Sequence, residues 1–180
     1  MNEAIAERVL PLAGDTPTAE TFEALYERTF PKVYAYVASL LRDRSAAEDV
    51  TAQAFERAYR KRRSYRPARG TAEGWIFGIA RNAALDELRK RKRRARLEVD
   101  PEDLRAPTLD DHAELSVRRE VVRAALADLE GPDRDLVALK FTGGLSNAEV
   151  ARVTGLSESN VGTRLHRTMT KLREACHDRA

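Results

Sequence analysis

Residues 146–167 read SNAEVARVTGLSESNVGTRLHR, and this stretch decides how the chain is read. Ser146, followed three residues on by Glu149, is a capping box that opens a helix running to about Thr154. Gly155-Leu156-Ser157 then turns the chain into a final helix reaching about Cys176. Ala151, Gly155 and Val161 have the spacing of a helix-turn-helix. The first helix needs a small residue where the second crosses it, the turn needs glycine for a positive φ, and the second helix needs an apolar anchor. Asn160, Thr163, Arg164, Arg167 and Lys171 fall at solvent-facing positions of the second helix. They are polar or basic, as a groove-reading helix requires. A plain helical hairpin shares the small-Gly-apolar pattern, so the basic face is what favours DNA.

Working outward, charge is the next signal. The net charge is only +3, but Arg57 to Arg96 holds fifteen Arg and Lys against Glu73, Asp86 and Glu87. From Leu97 to Val117 the sign flips, with seven acidic residues against Arg105 alone. Ser159 to Arg173 is basic again, with four cations and no acid. Two basic blocks divided by an acidic connector suggest two contact surfaces for one polyanion, where a single block reads equally well as a solvated helix face. The connector contains Pro101 and Pro107 and little periodic apolar content, so it reads as a linker. This divides the chain into a loosely held leader (1–17), a first helical domain (18–96), an acidic linker (97–114) and a helix-turn-helix domain (115–180).

Strand signals are nearly absent, and the expected fold is all-α: two small helical domains joined by the linker. Phe22, Leu25, Tyr26, Phe30, Val33, Tyr34, Val37 and Leu41 recur at helical spacing, and Pro31 is expected to split them into two helices. Ser45 and Glu48 suggest another capping box, opening a helix to about Lys61. A loop follows over Arg62 to Gly70, then a helix from near Thr71 into the basic run at Arg89 to Arg94. In the second domain Val122, Leu126 and Leu129 line a helix that Gly131-Pro132 is expected to end, and a short helix follows from Asp133 to Phe141.

Within the first basic block, Tyr59, Tyr65, Trp75 and Phe77 are interleaved with Arg60 to Arg63, Arg66, Arg69 and Arg81. Arginines track a phosphate backbone while rings and guanidinium planes stack on unpaired bases. Trp75 falls at core spacing with Ile76 and Ile79 and reads as a buried anchor, which leaves Tyr65 as the better base contact. Asn82 offers an amide that can make paired hydrogen bonds to a base edge.

Other classes find no support in the residues. Hydrophobic residues make up 42 % of the 180, enough for a core, so a wholly disordered chain is not expected. No apolar run approaches the roughly 18 residues of a membrane span, and Met1 to Leu12 carries Glu3, Glu7 and Arg8, unlike a signal peptide. The single cysteine, Cys176, forms no internal disulfide or cysteine metal site, and the chain reads as cytoplasmic, with no membrane insertion. His112, His166 and His177 lack ligand spacing, and neither a catalytic triad nor a phosphate-binding glycine loop is present. No enzyme activity, cofactor or metal is expected. A nuclease reading would rest on Asp86 and Glu87, which as neighbours point to different helix faces.

Three segments together resemble the extracytoplasmic-function sigma factors of bacterial RNA polymerase. They are Ala47-Glu48-Asp49-Val50; Gly74-Trp75-Ile76-Phe77-Gly78-Ile79-Ala80-Arg81-Asn82 with Asp86 and Arg89; and the helix-turn-helix ending Arg164-Leu165-His166-Arg167. The resemblance spans about Thr18 to Glu174 in the family's order. It implies a sigma factor that binds core RNA polymerase, reads the −35 element of promoter DNA and captures the melted −10 element, with an anti-sigma factor as a further partner. It would place Glu48, Asp49 and Gln53 on the polymerase-docking helix. Tyr65 and Arg66 would hold a flipped base, with Arg69, Arg81, Asn82 and Arg89 on the same −10 surface. Thr163, Arg164, His166 and Arg167, flanked by Asn160 and Lys171, would face the −35 groove. Asp86 would be structural, pairing with Arg89 or Lys90 one turn on. Two departures stand out: Ala52-Gln53 replaces the family's Gln-Glu, and Gly162 stands where a basic residue is usual, which implies a weaker or shifted −35 readout. The alternative is a stand-alone helix-turn-helix repressor binding duplex DNA as a dimer, which leaves the first basic block unexplained.

The linker carries a mechanical expectation of its own. Twenty-odd residues as a free coil span roughly 25 Å, and one DNA turn is about 34 Å. Sites more than a turn apart therefore call for a partner that holds the linker extended.

Overall fold

The computed structural model describes residues 21–97 and 117–178, which form seven α-helices and, among the described residues, no strand. They are α1 (Phe22–Leu41), α2 (Arg44–Lys61), α3 (Ala72–Leu97), α4 (Val117–Ala127), α5 (Gly131–Val137), α6 (Asn147–Thr154) and α7 (Glu158–His177). The leader and nearly all of the acidic linker lie outside the described residues.

Thr21 caps α1, its hydroxyl accepting from the Ala24 amide at 3.2 Å. Leu25, Val33, Tyr36, Val37 and Leu40 then form its buried stripe. The helix does not split at Pro31, as expected from the sequence, but runs through it. The proline is exposed, so the one bond it removes, to the Glu27 carbonyl, faces water that replaces it. At the far end Arg42 adopts a left-handed conformation, φ 53°, and its N–H closes the helix on the Ala38 carbonyl at 2.9 Å.

The cap of α2 also differs from expectation. Asp43, not Ser45, is the N-cap, accepting from the Ala46 amide at 3.0 Å, and Ser45 is an exposed residue of the first turn. An aspartate two residues upstream competes for the same free amides and, being charged, wins. The Ala46 amide bond, with the nearby Arg91 guanidinium, holds its carboxyl below the usual range. Its second oxygen accepts from Arg91 at 2.9 Å, which ties the start of α2 to α3. In α3, Ile76, Phe77, Ala80 and Ala84 are buried, while Lys92 to Arg96 lie on the solvated end of the helix.

Gly131-Pro132 opens α5 instead of ending α4, with proline in the first turn where its missing N–H costs nothing. After Val137 the helix widens into a π-turn over Ala138–Thr142, closed by the Gly143 amide on the Ala138 carbonyl at 2.9 Å. Gly143 sits against Phe77 of α3; a Cβ there would meet the ring at 3.0 Å and the Leu139 carbonyl at 2.6 Å. The two halves of the chain are therefore in direct contact and share one apolar core. The sequence led us to expect two bodies that only a partner would bring into a fixed relation.

Candidate nucleic-acid interface

Arg62–Ser64 and Pro67–Arg69 form two 3-10 turns that shape the loop between α2 and α3. Tyr65 lies between them, its hydroxyl donating to the Gly70 carbonyl at 3.0 Å and its ring 5.5 Å from that of Trp75. Trp75 is half-buried against the core, in keeping with an anchor. Arg66 folds back on the loop, donating to the carbonyls of Arg63 at 2.9 Å and Tyr65 at 3.2 Å. Arg69 and Asn82 are exposed. With Arg57, Lys61, Gly70 and Gly74 they line a cleft of about 580 Å³, whose opposite side is supplied by Glu149, Arg152 and Val153 of α6.

Two arginines of this surface are already engaged. Arg81 donates from Nε to Asp135 Oδ2 at 2.7 Å, across the contact between the halves. Arg89 pairs with Asp86 at 2.6 Å, three residues back on the same exposed face, as the sequence suggested.

The helix-turn-helix forms as expected. Ser146 accepts from the Glu149 amide at 3.2 Å while Glu149 accepts from the Ser146 amide at 2.8 Å, the reciprocal capping box. Gly155 takes φ 77°, a left-handed value that closes α6 on the Ala151 carbonyl at 2.8 Å. Ser157 caps α7, and Val161, Leu165 and Leu172 are its buried anchors. Asn160, Thr163, His166, Arg167 and Lys171 are exposed along the helix. Arg164 departs from the solvent-facing expectation. It is half-buried and donates to Asp133 of α5 at 2.8 Å. Gly162 is half-buried too, and a Cβ there would lie 3.8 Å from Asn147 Nδ2, at the edge of α7 nearest α6.

Glu149 has a second role besides the cap, since it also accepts a hydrogen bond from the Thr71 hydroxyl in the other half. Burial works against its carboxylate, but Thr71 and the Ser146 amide and hydroxyl outweigh it and hold its pKa below the usual range. On α2, Glu48, Asp49, Ala52 and Gln53 are exposed side by side, with Glu48 paired to Arg44 at 3.0 Å. Ala47, Val50, Ala54 and Phe55 face the core from the opposite side.

Sequence reasoning missed Tyr36, Asp133 and Asp135. Asp135 stands directly before the apolar run Leu136 to Leu139 and is only 5 % exposed, the one local sign that it has a buried partner. Among the described residues no cluster of metal-ligating side chains occurs and no helix is long and apolar enough to cross a membrane.

The chain matches the Sigma-70 region 2 family over residues 25–94 and the Sigma-70 region 4 family over residues 119–172. It is 32 % identical over 178 residues to the ECF RNA polymerase sigma factor SigE of Mycolicibacterium smegmatis, covering 96 % of this chain and 68 % of that protein. It is 33 % identical over 167 residues to BldN of Streptomyces coelicolor, covering 90 % of this chain and 62 % of BldN. With SigX of Bacillus subtilis it shares 31 % identity over 163 residues, covering 86 % of this chain and 83 % of SigX. The fold is similar to that of the sigma factor RpoE in complex with the anti-sigma factor NepR from Bartonella quintana. The TM-score is 0.75 at 23 % identity, covering 86 % of this chain and 95 % of that one. It is also similar to CnrH in complex with the cytosolic domain of CnrY, with a TM-score of 0.65 at 24 % identity, covering 88 % and 89 %. Two sigma regions in order on one chain, with relatives above 30 % identity along nearly its whole length, establish that this protein belongs to the ECF RNA polymerase sigma factors and is not a stand-alone repressor.

Proposed function

We propose that the chain directs core RNA polymerase to promoters with two separate surfaces, the cleft around Tyr65 and Asn82 for the melted −10 strand and the exposed face of α7 for the −35 groove. The observation that carries this reading is the cleft. It combines cations at Arg57, Lys61, Arg66 and Arg69, a ring held on Trp75, and an exposed amide at Asn82. Cations track phosphates, the ring stacks on an unpaired base, and the amide reads an edge. Unstacking costs a few kcal/mol per base, which these contacts offset. On α7, Asn160, Thr163, His166 and Arg167 would meet base edges and Lys171 the phosphates.

The protein supplies no chemistry of its own in this reading, and works in the cytoplasm with promoter DNA and polymerase. Residues 18–96 and 115–180 act as the two domains, and Glu48, Asp49 and Gln53 form the docking face for polymerase. NepR and CnrY are bound by the two structurally similar sigma factors, and we assign an anti-sigma partner to this chain by the same likeness.

The test is co-elution with bacterial core polymerase followed by run-off transcription from a promoter library. Promoter-dependent transcripts that are lost on Asn82→Ala and on Arg167→Ala support the two-surface reading. Core binding without promoter preference overturns it.

A further inference from the structure

The cleft beside Tyr65 has a second wall that single-strand capture leaves unused. Arg152 of α6 reaches so close to the loop that a Cβ on Gly70 would lie 2.8 Å from its Nη1. The carbonyl of the same Gly70 accepts from the Tyr65 hydroxyl at 3.0 Å, so a cation and a ring converge there from opposite sides of the cleft. Val153 lines the α6 side next to Arg152. In all, Arg57, Lys61, Arg66, Arg69 and Arg152 bring five cations to a space of about 580 Å³. A single strand carries one negative charge per nucleotide. Five cations around a base-sized space therefore suit a ligand whose charges are clustered beside one ring, and guanidinium forks match phosphate oxygens. The volume is that of an ordinary small-molecule site, roughly 300–1,000 Å³. Among the described residues the cleft has one carboxylate, Glu149, whose charge is offset by hydrogen bonds from the Thr71 hydroxyl and from the Ser146 amide and hydroxyl.

We propose that this cleft binds a free purine nucleoside triphosphate, with the base between the paired rings of Tyr65 and Trp75 and the side chain of Val153, and the phosphates bridging Arg152 to the loop cations. The amide of Asn82 meets a base edge, and a purine offers the larger face for stacking. The proposal rests on the reading of the cleft as a single-strand site, because a base flipped out of a strand and the base of a free nucleotide make the same stacking and edge contacts. The clustered phosphates are what separate the two ligands. Arg152, which the single-strand reading does not use, is the group that responds to them.

The test uses the full chain, with its single tryptophan, Trp75, as the reporter. ATP, ADP, AMP and inorganic triphosphate are titrated at physiological salt. Fluorescence reads stacking on the ring pair, and calorimetry reads binding of triphosphate, which has no base. ATP is expected to quench Trp75 saturably and to bind more tightly than ADP, and ADP more tightly than AMP. Inorganic triphosphate should compete with ATP without quenching. Arg152 is exposed and alanine favours a helix, so Arg152→Ala leaves the fold intact. This variant should weaken ATP about tenfold, the equivalent of one hydrogen bond between charged groups, while AMP changes little and Arg152→Lys recovers part of the loss. Absence of saturable quenching by ATP, AMP binding as tight as ATP, or unchanged ATP affinity in Arg152→Ala each overturns the proposal. Run-off transcription with the Asn82→Ala protein tests the strand separately. If ATP does not bind while transcripts still depend on Asn82, the nucleotide site falls and the single-strand site stands. If ATP binds through Arg152 while transcripts ignore Asn82, the nucleotide site stands and the assignment of the strand to this cleft fails.

Discussion

Arg164 on α7 donates to Asp133 of α5 at 2.8 Å, so its guanidinium is held by a carboxylate thirty-one residues earlier. Both side chains are partly shielded, 33 % and 19 % exposed. The pair fixes the direction of the Arg164 side chain, so in the proposed reading of α7 a contact made by it would lose less entropy on binding.

Asp133→Ala should release Arg164 and relax base preference on the −35 side more than it weakens overall affinity. Since the pair is only partly buried, its loss should cost stability no more than about 1 kcal/mol. Selection from a randomised duplex pool, paired with urea denaturation, measures the two effects separately.

Gly143→Ala should destabilise the protein by about 1–3 kcal/mol, because the new methyl meets the Phe77 ring and the Leu139 carbonyl, and neither can yield without moving a helix. Thermal unfolding followed by circular dichroism reads this directly. A melting temperature equal to the parent's would mean that Phe77 and Gly143 are not in contact in solution.

Gly162→Ala should act in the opposite direction. The nearest atom to the added Cβ is Asn147 Nδ2 at 3.8 Å, an ordinary contact, and alanine is favoured over glycine inside a helix by about 1 kcal/mol. The variant should melt later than the parent and bind duplex DNA equally well, as measured by calorimetry and gel shift. A loss of binding would show that the backbone at this position approaches the DNA.

The contact through Glu149 should depend on pH in one direction only. Its folded pKa lies below the ordinary 4.5. The stabilisation is therefore complete above that ordinary value and is lost as pH falls through the lower folded one. Stability measured from pH 7 to pH 3 should fall only at the acidic end on this account. Glu149→Gln should flatten that part of the curve.

Much of the helix-turn-helix geometry is legible in the sequence. The helix-turn-helix rests on Ser146, Glu149, Ala151, Gly155 and Val161, whose roles are local: a cap, a crossing, a left-handed turn and an anchor. Such features depend on neighbours three to six positions away, so spacing alone reveals them. The exposed face of α2 follows from the same 3.6-residue period. Pro31 misled because its effect depends on which side of the helix meets water, and Ser45 because a better cap stood two residues upstream.

What the sequence by itself determined is the set of helices, their caps and the two basic faces, since each arises from interactions within a few turns of chain. Only the tertiary structure decided how those faces are presented. Arg81 meets Asp135 across fifty-four residues, Thr71 meets Glu149 across seventy-eight, and Tyr36 meets Asp135 across ninety-nine. No periodicity encodes such pairs. They form because burying Tyr36 and Phe77 in a shared core brings the two halves close enough for one carboxylate to find both of its donors, and burial then leaves that carboxylate no alternative partner in water.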